Sequence, residues 1–227
     1  MKLTKLFWNY THGHWFYLFH ALLVLLIIYP YSQQTDSNQG HWILYALNSL
    51  VIIAIIYEAS RTRFQLVLAM LLGLVILIIY WLPQTFTIVT TQYILHSILY
   101  LYAIIMLLSS LLKIHKADAD TIFGTISLYI LLGLFWANIY LIIALSIPNA
   151  FASSDPSMEK ELIWSDYLYY SFITLTTVGY GDIIPAVPQA RSIAILESIS
   201  GVLFIAVMVS KTIGLYVVQV GNRLYKD

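Results

Sequence analysis

Six apolar runs, each closed by polar or helix-breaking residues, divide the chain: roughly 15–31, 42–57, 64–82, 93–112, 121–147 and 190–220. A helix needs about 20 mostly apolar residues to cross the hydrocarbon of a bilayer, so the pattern predicts six membrane-spanning helices. The second run is short but carries no charge before Glu58. A polar loop from Tyr31 to Gly40 follows the first run, Pro83 closes the third, and Pro148-Asn149 closes the fifth. Residues 148–189, between the fifth and sixth runs, are too many for a turn. They begin polar at Ser153-Ser154-Asp155-Pro156 and become semi-apolar from Trp164 to Thr177. That second part is too short to cross and suits a re-entrant half-helix, with Ser165 or Asp166 placed to cap its N-terminus. Irregular or re-entrant backbone at membrane depth is tolerated only where it is buried in protein or lines water.

Composition narrows the class. Of 227 residues, 60% are hydrophobic and 10% charged, against about a quarter charged in soluble domains. One core of this size cannot hide that much apolar surface. A soluble enzyme, a disordered chain and a nucleic-acid binder are excluded. The 11 basic and 11 acidic residues cancel, so nothing attracts a polyanion. With no cysteine there is no disulfide framework, thiolate nucleophile or zinc–thiolate site. The first run is too long for a signal-peptide core, and no small-residue cleavage site follows it. Lys2, Lys5, Arg61, Arg63, Lys113, Lys116, Arg223 and Lys226 fall on one side of the predicted spans, and only Lys160 and Arg191 on the other. The bias puts both termini in the cytoplasm. Lys211, late in the last run, is expected to snorkel toward the basic side.

The half-helix leads directly into Thr176-Thr177-Val178-Gly179-Tyr180-Gly181-Asp182. This string, between two spans and behind a half-helix, resembles the selectivity filter of the potassium channel family, known for its TVGYG loop. The resemblance is strong from about Trp164 to Gly221 and only topological before Thr121. It implies an all-α membrane fold of six transmembrane helices with a re-entrant half-helix and filter loop, assembled as a homotetramer. Residues 1–114 would form a peripheral four-helix domain like a voltage sensor in topology. Residues 115–227 would form the pore domain of outer helix, half-helix, filter and inner helix. The implied function is passive, potassium-selective conduction across the plasma membrane, or the inner membrane of a bacterial cell. The partners are further copies of the chain and membrane lipids, and there is no cofactor beyond permeant K+. The alternatives are a less selective cation channel or a potassium-translocating subunit. An intramembrane enzyme or solute carrier would need paired buried carboxylates, a His/Asp constellation or inverted repeats, and none is evident.

The physics of such a loop matches its residue types. A dehydrated K+ ion needs a ring of oxygens in place of water, and one loop supplies too few, so four chains must surround one axis. Aiming successive carbonyls inward requires backbone of alternating hand, cheap only at glycine, which Gly179 and Gly181 provide. The resemblance puts K+ at Thr177, Val178, Gly179 and Tyr180, with Gly181 completing the filter. Thr177 adds a hydroxyl at the inner mouth. Val178 and Tyr180 are expected to point away and pack the loop against the half-helices. The half-helix C-terminus near Thr176 brings partial negative charge, and Asp182 marks the outer mouth.

Flanking residues leave paired readings open. Tyr167, Tyr169 and Tyr170 suit either an interfacial aromatic belt or a cuff around the filter. Glu197 is an ionisable residue inside a span, a functional-site signal by default. It either bonds the half-helix or snorkels. Gly201 resembles the inner-helix hinge of the family, or permits close helix contact. In the family's register Val202, Ile205, Val209 and Ile213 face the cavity and gate by dewetting, or else are ordinary packing. The fourth run has no arginine, so a voltage-sensing role is not carried over. Ile173 stands where some bacterial channels have a glutamate behind the filter, which argues against inactivation of that type. About seven residues follow the last run, too few for a ligand-binding cytoplasmic domain. His12 and His14 suit interfacial anchoring or pH sensing.

Overall fold

The computed structural model describes residues 14–33, 38–59, 62–115, 118–153 and 162–224. The charges at Lys2, Lys5, Asp36, Arg61, Lys116, Asp155, Glu159, Lys160, Glu161 and Lys226 lie outside the described residues, as do His12 and the side chains of His14 and Arg223.

Every apolar run is helical. The elements are α1 (His14–Gln33), α2 (Asn38–Glu58), α3 (Arg63–Ile79), α4 (Phe86–Leu112), α5 (Ala119–Ser146), β1 (Phe151–Ser153), α6 (Trp164–Leu175), β2 (Ile183–Pro185), α7 (Pro188–Phe204), a π-helical turn (Ile205–Val209) and α8 (Ser210–Leu224). Among the described residues three helices are long and apolar enough to cross a membrane: α4, α5 and the continuous last helix over Pro188–Val218. The apolar parts of α1, α2 and α3 are shorter, at Trp15–Pro30, Trp42–Glu58 and Arg63–Ile79.

Two boundaries depart from the hydrophobic pattern. Helix α4 starts at Phe86, two turns before the apolar run at 93. Thr85 caps it, its Oγ1 accepting the Ile88 N–H at 3.4 Å. Thr90 and Thr91 fold their hydroxyls onto the carbonyls of Phe86 and Thr87, at 2.9 and 2.8 Å, which keeps these polar residues inside the helix. The N-cap of α6 is Ile163, not Ser165 or Asp166. Asp166 instead sits in the first turn and accepts the Ile163 N–H at 2.8 Å, the back-bonding half of a capping box. Helix α5 is capped as its sequence invites: Asp118 Oδ1 accepts both the Thr121 N–H at 2.8 Å and its hydroxyl at 2.7 Å.

Helix α5 is the hub, with α1, α4 and α6 all packed on it. Helices α1 and α4 therefore both lie against α5 of the same chain. A buried core runs through the bundle, including Leu18, Leu22, Ile55, Leu99, Leu107 and Leu131. At one end Trp15 lies flat on Gly124, where a Cβ would come within 2.6 Å of its ring. The Trp15 indole N–H donates to Glu58 Oε1 at 2.8 Å. Asp120 Oδ1 accepts the backbone N–H groups of Trp15 and Phe16, both at 3.2 Å. A carboxylate against the first amides of α1 is also favoured by the helix dipole.

This joint generates a test. Gly124→Val drives two methyls into the Trp15 ring and is expected to cost about 1–3 kcal/mol, the usual penalty for overpacking. Thermal unfolding in detergent reads it as a lowered midpoint. A midpoint equal to wild type would contradict the close packing of α1 on α5.

Candidate functional site: the re-entrant loop

Helix α6 is closed by its C-cap Thr176, whose N–H bonds the Phe172 carbonyl at 3.0 Å. The chain then changes hand at alternate residues: φ is +62° at Thr177, +51° at Gly179 and +77° at Gly181. At the glycines this costs no side-chain clash. Thr177 pays a steric cost, which marks it as a position whose geometry is imposed by its surroundings. Sequence reasoning named the two glycines but had no sign of the left-handed threonine. The N–H groups of Val178 and Gly179 both donate to the Ile173 carbonyl, at 2.9 and 3.1 Å. The loop thus hangs on α6 by its amides.

Val178 and Tyr180 are 52% and 73% exposed on the single chain. The packing expected of them against a half-helix is not made within one chain. Asp182 is held from two sides. Tyr169 donates its hydroxyl to Oδ2 at 2.7 Å, and the Ile183 N–H donates to Oδ1 at 3.0 Å. Asp182 raises the Tyr169 phenol to about 12, first through that hydrogen bond, so Tyr169 keeps its proton at neutral pH. Tyr167 and Tyr170 turn the other way and are buried with Tyr140, Phe151, Ile173 and Ile183. Phe151 and Ile183 belong to the antiparallel pair β1–β2, in which Phe151 faces Pro185. This brace ties the two ends of the linker together beside the loop.

Glu197 does not snorkel. It is fully buried and accepts hydrogen bonds from the Tyr140 hydroxyl and from Ser171 Oγ. Ser171 Oγ also lies 2.9 Å from the Gly133 carbonyl oxygen. One carboxyl group therefore joins α7, α5 and α6 behind the loop. Four residues on, a Cβ at Gly201 would sit 2.2 Å from the Leu175 carbonyl oxygen. The inner helix crosses the end of α6 at the closest distance a backbone allows, which accounts for this glycine by contact. Gly201 itself is regular α-helix, and the departure from α geometry lies at the π-helical turn Ile205–Val209. No Gly or Pro marks that turn in the sequence.

Around this turn, Val202, Ile205 and Ile213 are exposed on the single chain and Val209 is half-buried. Lys211 reaches the end of α4 next to Lys113, the direction in which it was expected to snorkel. Its Nζ donates to the Leu111 carbonyl at 3.0 Å and to that of Leu112, the last residues of α4. Beside it the Thr212 and Thr125 hydroxyls meet at 3.2 Å. Among the described residues no cluster of His, Asp, Glu or Cys could hold a metal ion.

Comparison with known proteins bears on the same segment. The sequence profile of the ion channel family matches residues 125–217. The chain is 34% identical to Protein LctB of Bacillus caldotenax over 101 residues, which cover 44% of this chain and 75% of that one. Protein LctB of Geobacillus stearothermophilus matches to the same extent. No solved structure matches significantly.

The buried carboxyl supplies the test. Glu197→Ala strands the Tyr140 hydroxyl, leaves Ser171 only the Gly133 carbonyl and opens a void, at an expected cost of about 2–4 kcal/mol. Glu197→Gln keeps shape and hydrogen-bonding capacity and is expected to cost under about 1 kcal/mol. Thermal unfolding of both variants reads the difference. Equal losses would show that the hydrogen bonds do not hold the half-helix.

Proposed function

The chain belongs to the ion channel family, and from that footing we propose that it forms a potassium-selective pore as a homotetramer. The observation that carries this reading is the Thr177–Gly181 backbone. It alternates in hand and turns its amides onto Ile173, a geometry suited to presenting carbonyl oxygens to a dehydrated cation. Four such loops around one axis would supply the ring that one cannot. Val178 and Tyr180 would then pack on neighbouring subunits. Val202, Ile205, Val209 and Ile213 would line an apolar cavity, and Asp182 would ring the outer mouth. K+ would sit at Thr177, Val178, Gly179 and Tyr180.

The six apolar helices would all span, with α1–α4 as a peripheral domain. The lysine and arginine bias puts both termini in the cytoplasm, and the plasma membrane is the expected location. Steep voltage gating is not expected. One charge moved through the field is worth about 2.3 kcal/mol per 100 mV, and α4 carries no Lys or Arg before its C-cap at Lys113.

Reversal potentials of the protein in planar bilayers test selectivity. Under opposed K+ and Na+ gradients the potential is expected near the K+ equilibrium value, and equal permeability of the two ions would refute the reading. Gly179→Ala should abolish selective current, because alanine resists the +51° backbone. Assembly is tested separately. Native mass measurement in nanodiscs is expected to give four chains, and a conducting dimer or monomer would overturn the tetramer.

A further inference from the structure

The last helix is held unequally on the two sides of its π-helical turn at Ile205–Val209. Before the turn it is clamped. Glu197 joins it to α5 and α6, and Ser200 Oγ accepts the Trp136 indole N–H at 3.2 Å. Gly201 presses on the Leu175 carbonyl, and the buried Phe204 ring lies 5.0 Å from that of Tyr129. After the turn, Ile213, Tyr216, Val217 and Val218 are exposed on the single chain, and a Cβ at Gly214 would meet nothing within 4 Å. Two side chains orient this stretch. Lys211 Nζ holds the last carbonyls of α4, and the Thr212 hydroxyl lies 3.2 Å from that of Thr125 in α5.

A π turn closes on i→i+5 hydrogen bonds where an α turn closes on i→i+4, so it holds one extra residue. Returning it to α geometry rotates everything after it by about 100°, one residue's step. Each side chain then takes the place of its successor. Ser210 would stand where Lys211 now stands, too short to reach α4. Lys211 would stand at the place of Thr212, and Thr212 at the place of Ile213. Inside the turn the exchange is like for like, because Ile205, Ala206, Val207, Met208 and Val209 are all apolar. Only Ser210-Lys211-Thr212-Ile213 distinguishes the two registers.

We propose that the π-helical turn is a two-register switch, latched in its present register by Lys211 on the end of α4. The assignment of its two states rests on the pore reading above, in which Val209 and Ile213 line the ion path. In the π register the lining at Ile213 is apolar and sheds water, so conduction is off. In the α register the Thr212 hydroxyl replaces it, the lining wets, and ions pass. Gly201 is too tightly clamped to be the moving part. The stretch after the turn is free to rotate once one lysine lets go. Helix register shifts take microseconds to milliseconds, a range that current recording resolves.

Single-channel recording in planar bilayers tests the latch. Lys211→Met is expected to raise the ratio of open to closed time at least about tenfold, the worth of a charge-assisted hydrogen bond. Lys211→Arg, which keeps charge and donors, is expected to stay near wild type. The sequence has no cysteine, so introduced thiols report alone. A disulfide in Thr125→Cys/Thr212→Cys is expected to hold the channel shut until it is reduced. Thiol modification reads the register without any current. Thr212→Cys is expected to react with a water-soluble methanethiosulfonate about tenfold faster once Lys211→Met is added, and Ile213→Cys no faster. Three results would each overturn the switch: open times unchanged or shortened by Lys211→Met, a disulfide that forms and leaves the current intact, or equal acceleration at both cysteines. A protein that conducts sodium as well as potassium refutes the selectivity reading and leaves these comparisons standing. Should Lys211→Met not assemble, the disulfide decides, and a cysteine pair that cannot be oxidised contradicts the register itself.

Discussion

In hydrocarbon there is no water to satisfy a backbone that is not helical. The seven residues from Thr176 to Asp182 break helix in a segment flanked by apolar helices, so their polar groups must be met by protein or by water. Everything around them can be read as the means of holding that irregular stretch in place. The amides of Val178 and Gly179 are satisfied by Ile173, one turn back. The far end is pinned by Asp182, between the Tyr169 hydroxyl and the Ile183 amide. The loop can stay irregular because the short helix carrying it is anchored more firmly than a twelve-residue helix could be by its own propensity.

That anchoring is polar as well as steric. Lipid tails are as apolar as leucine, so helices in a bilayer associate through close packing and hydrogen bonds rather than through hydrophobic exclusion. The structure uses both at one point. Gly201 brings the inner helix against the last carbonyl of α6. One turn earlier Glu197 gathers hydroxyls from α5 and α6. The β1–β2 pair and its aromatic cluster close the opposite side. Helix α5 carries the load in common: α1, α4, the half-helix α6 and the last helices α7 and α8 all meet it.

Much of this was legible in the sequence, and the gaps have physical reasons. Apolar runs read directly as helices, because length and hydropathy are local properties. The first turns of α4 did not, because Thr85, Thr90 and Thr91 look like loop until Thr85 is seen to cap the helix and the other two hydroxyls to fold back on it. The alternating loop was foreshadowed by Gly179 and Gly181, whereas nothing local marks a threonine for positive φ. Glu197 stood out as an ionisable residue in an apolar run. Its partners, 57 residues away at Tyr140 and 26 away at Ser171, are set only by tertiary packing. The π-helical turn at Ile205–Val209 has no breaker to announce it.

Lys211 carries a further consequence. Its ammonium group closes the carbonyl end of α4 across 100 residues of sequence, so the C-terminus of a peripheral helix is completed by a residue of the inner helix. A charge-assisted bond of this kind is worth about 1.5–3 kcal/mol, and that figure bounds what it can transmit. Within the bound the traffic runs both ways, because a coupling free energy belongs to the pair and not to either member. Work that displaces the end of α4 is felt beyond the π-helical turn, and a shift of the inner helix leaves α4 with carbonyls to satisfy. Helix α4 and the last helix thus share an electrostatic hinge pin, a single lysine that reaches both.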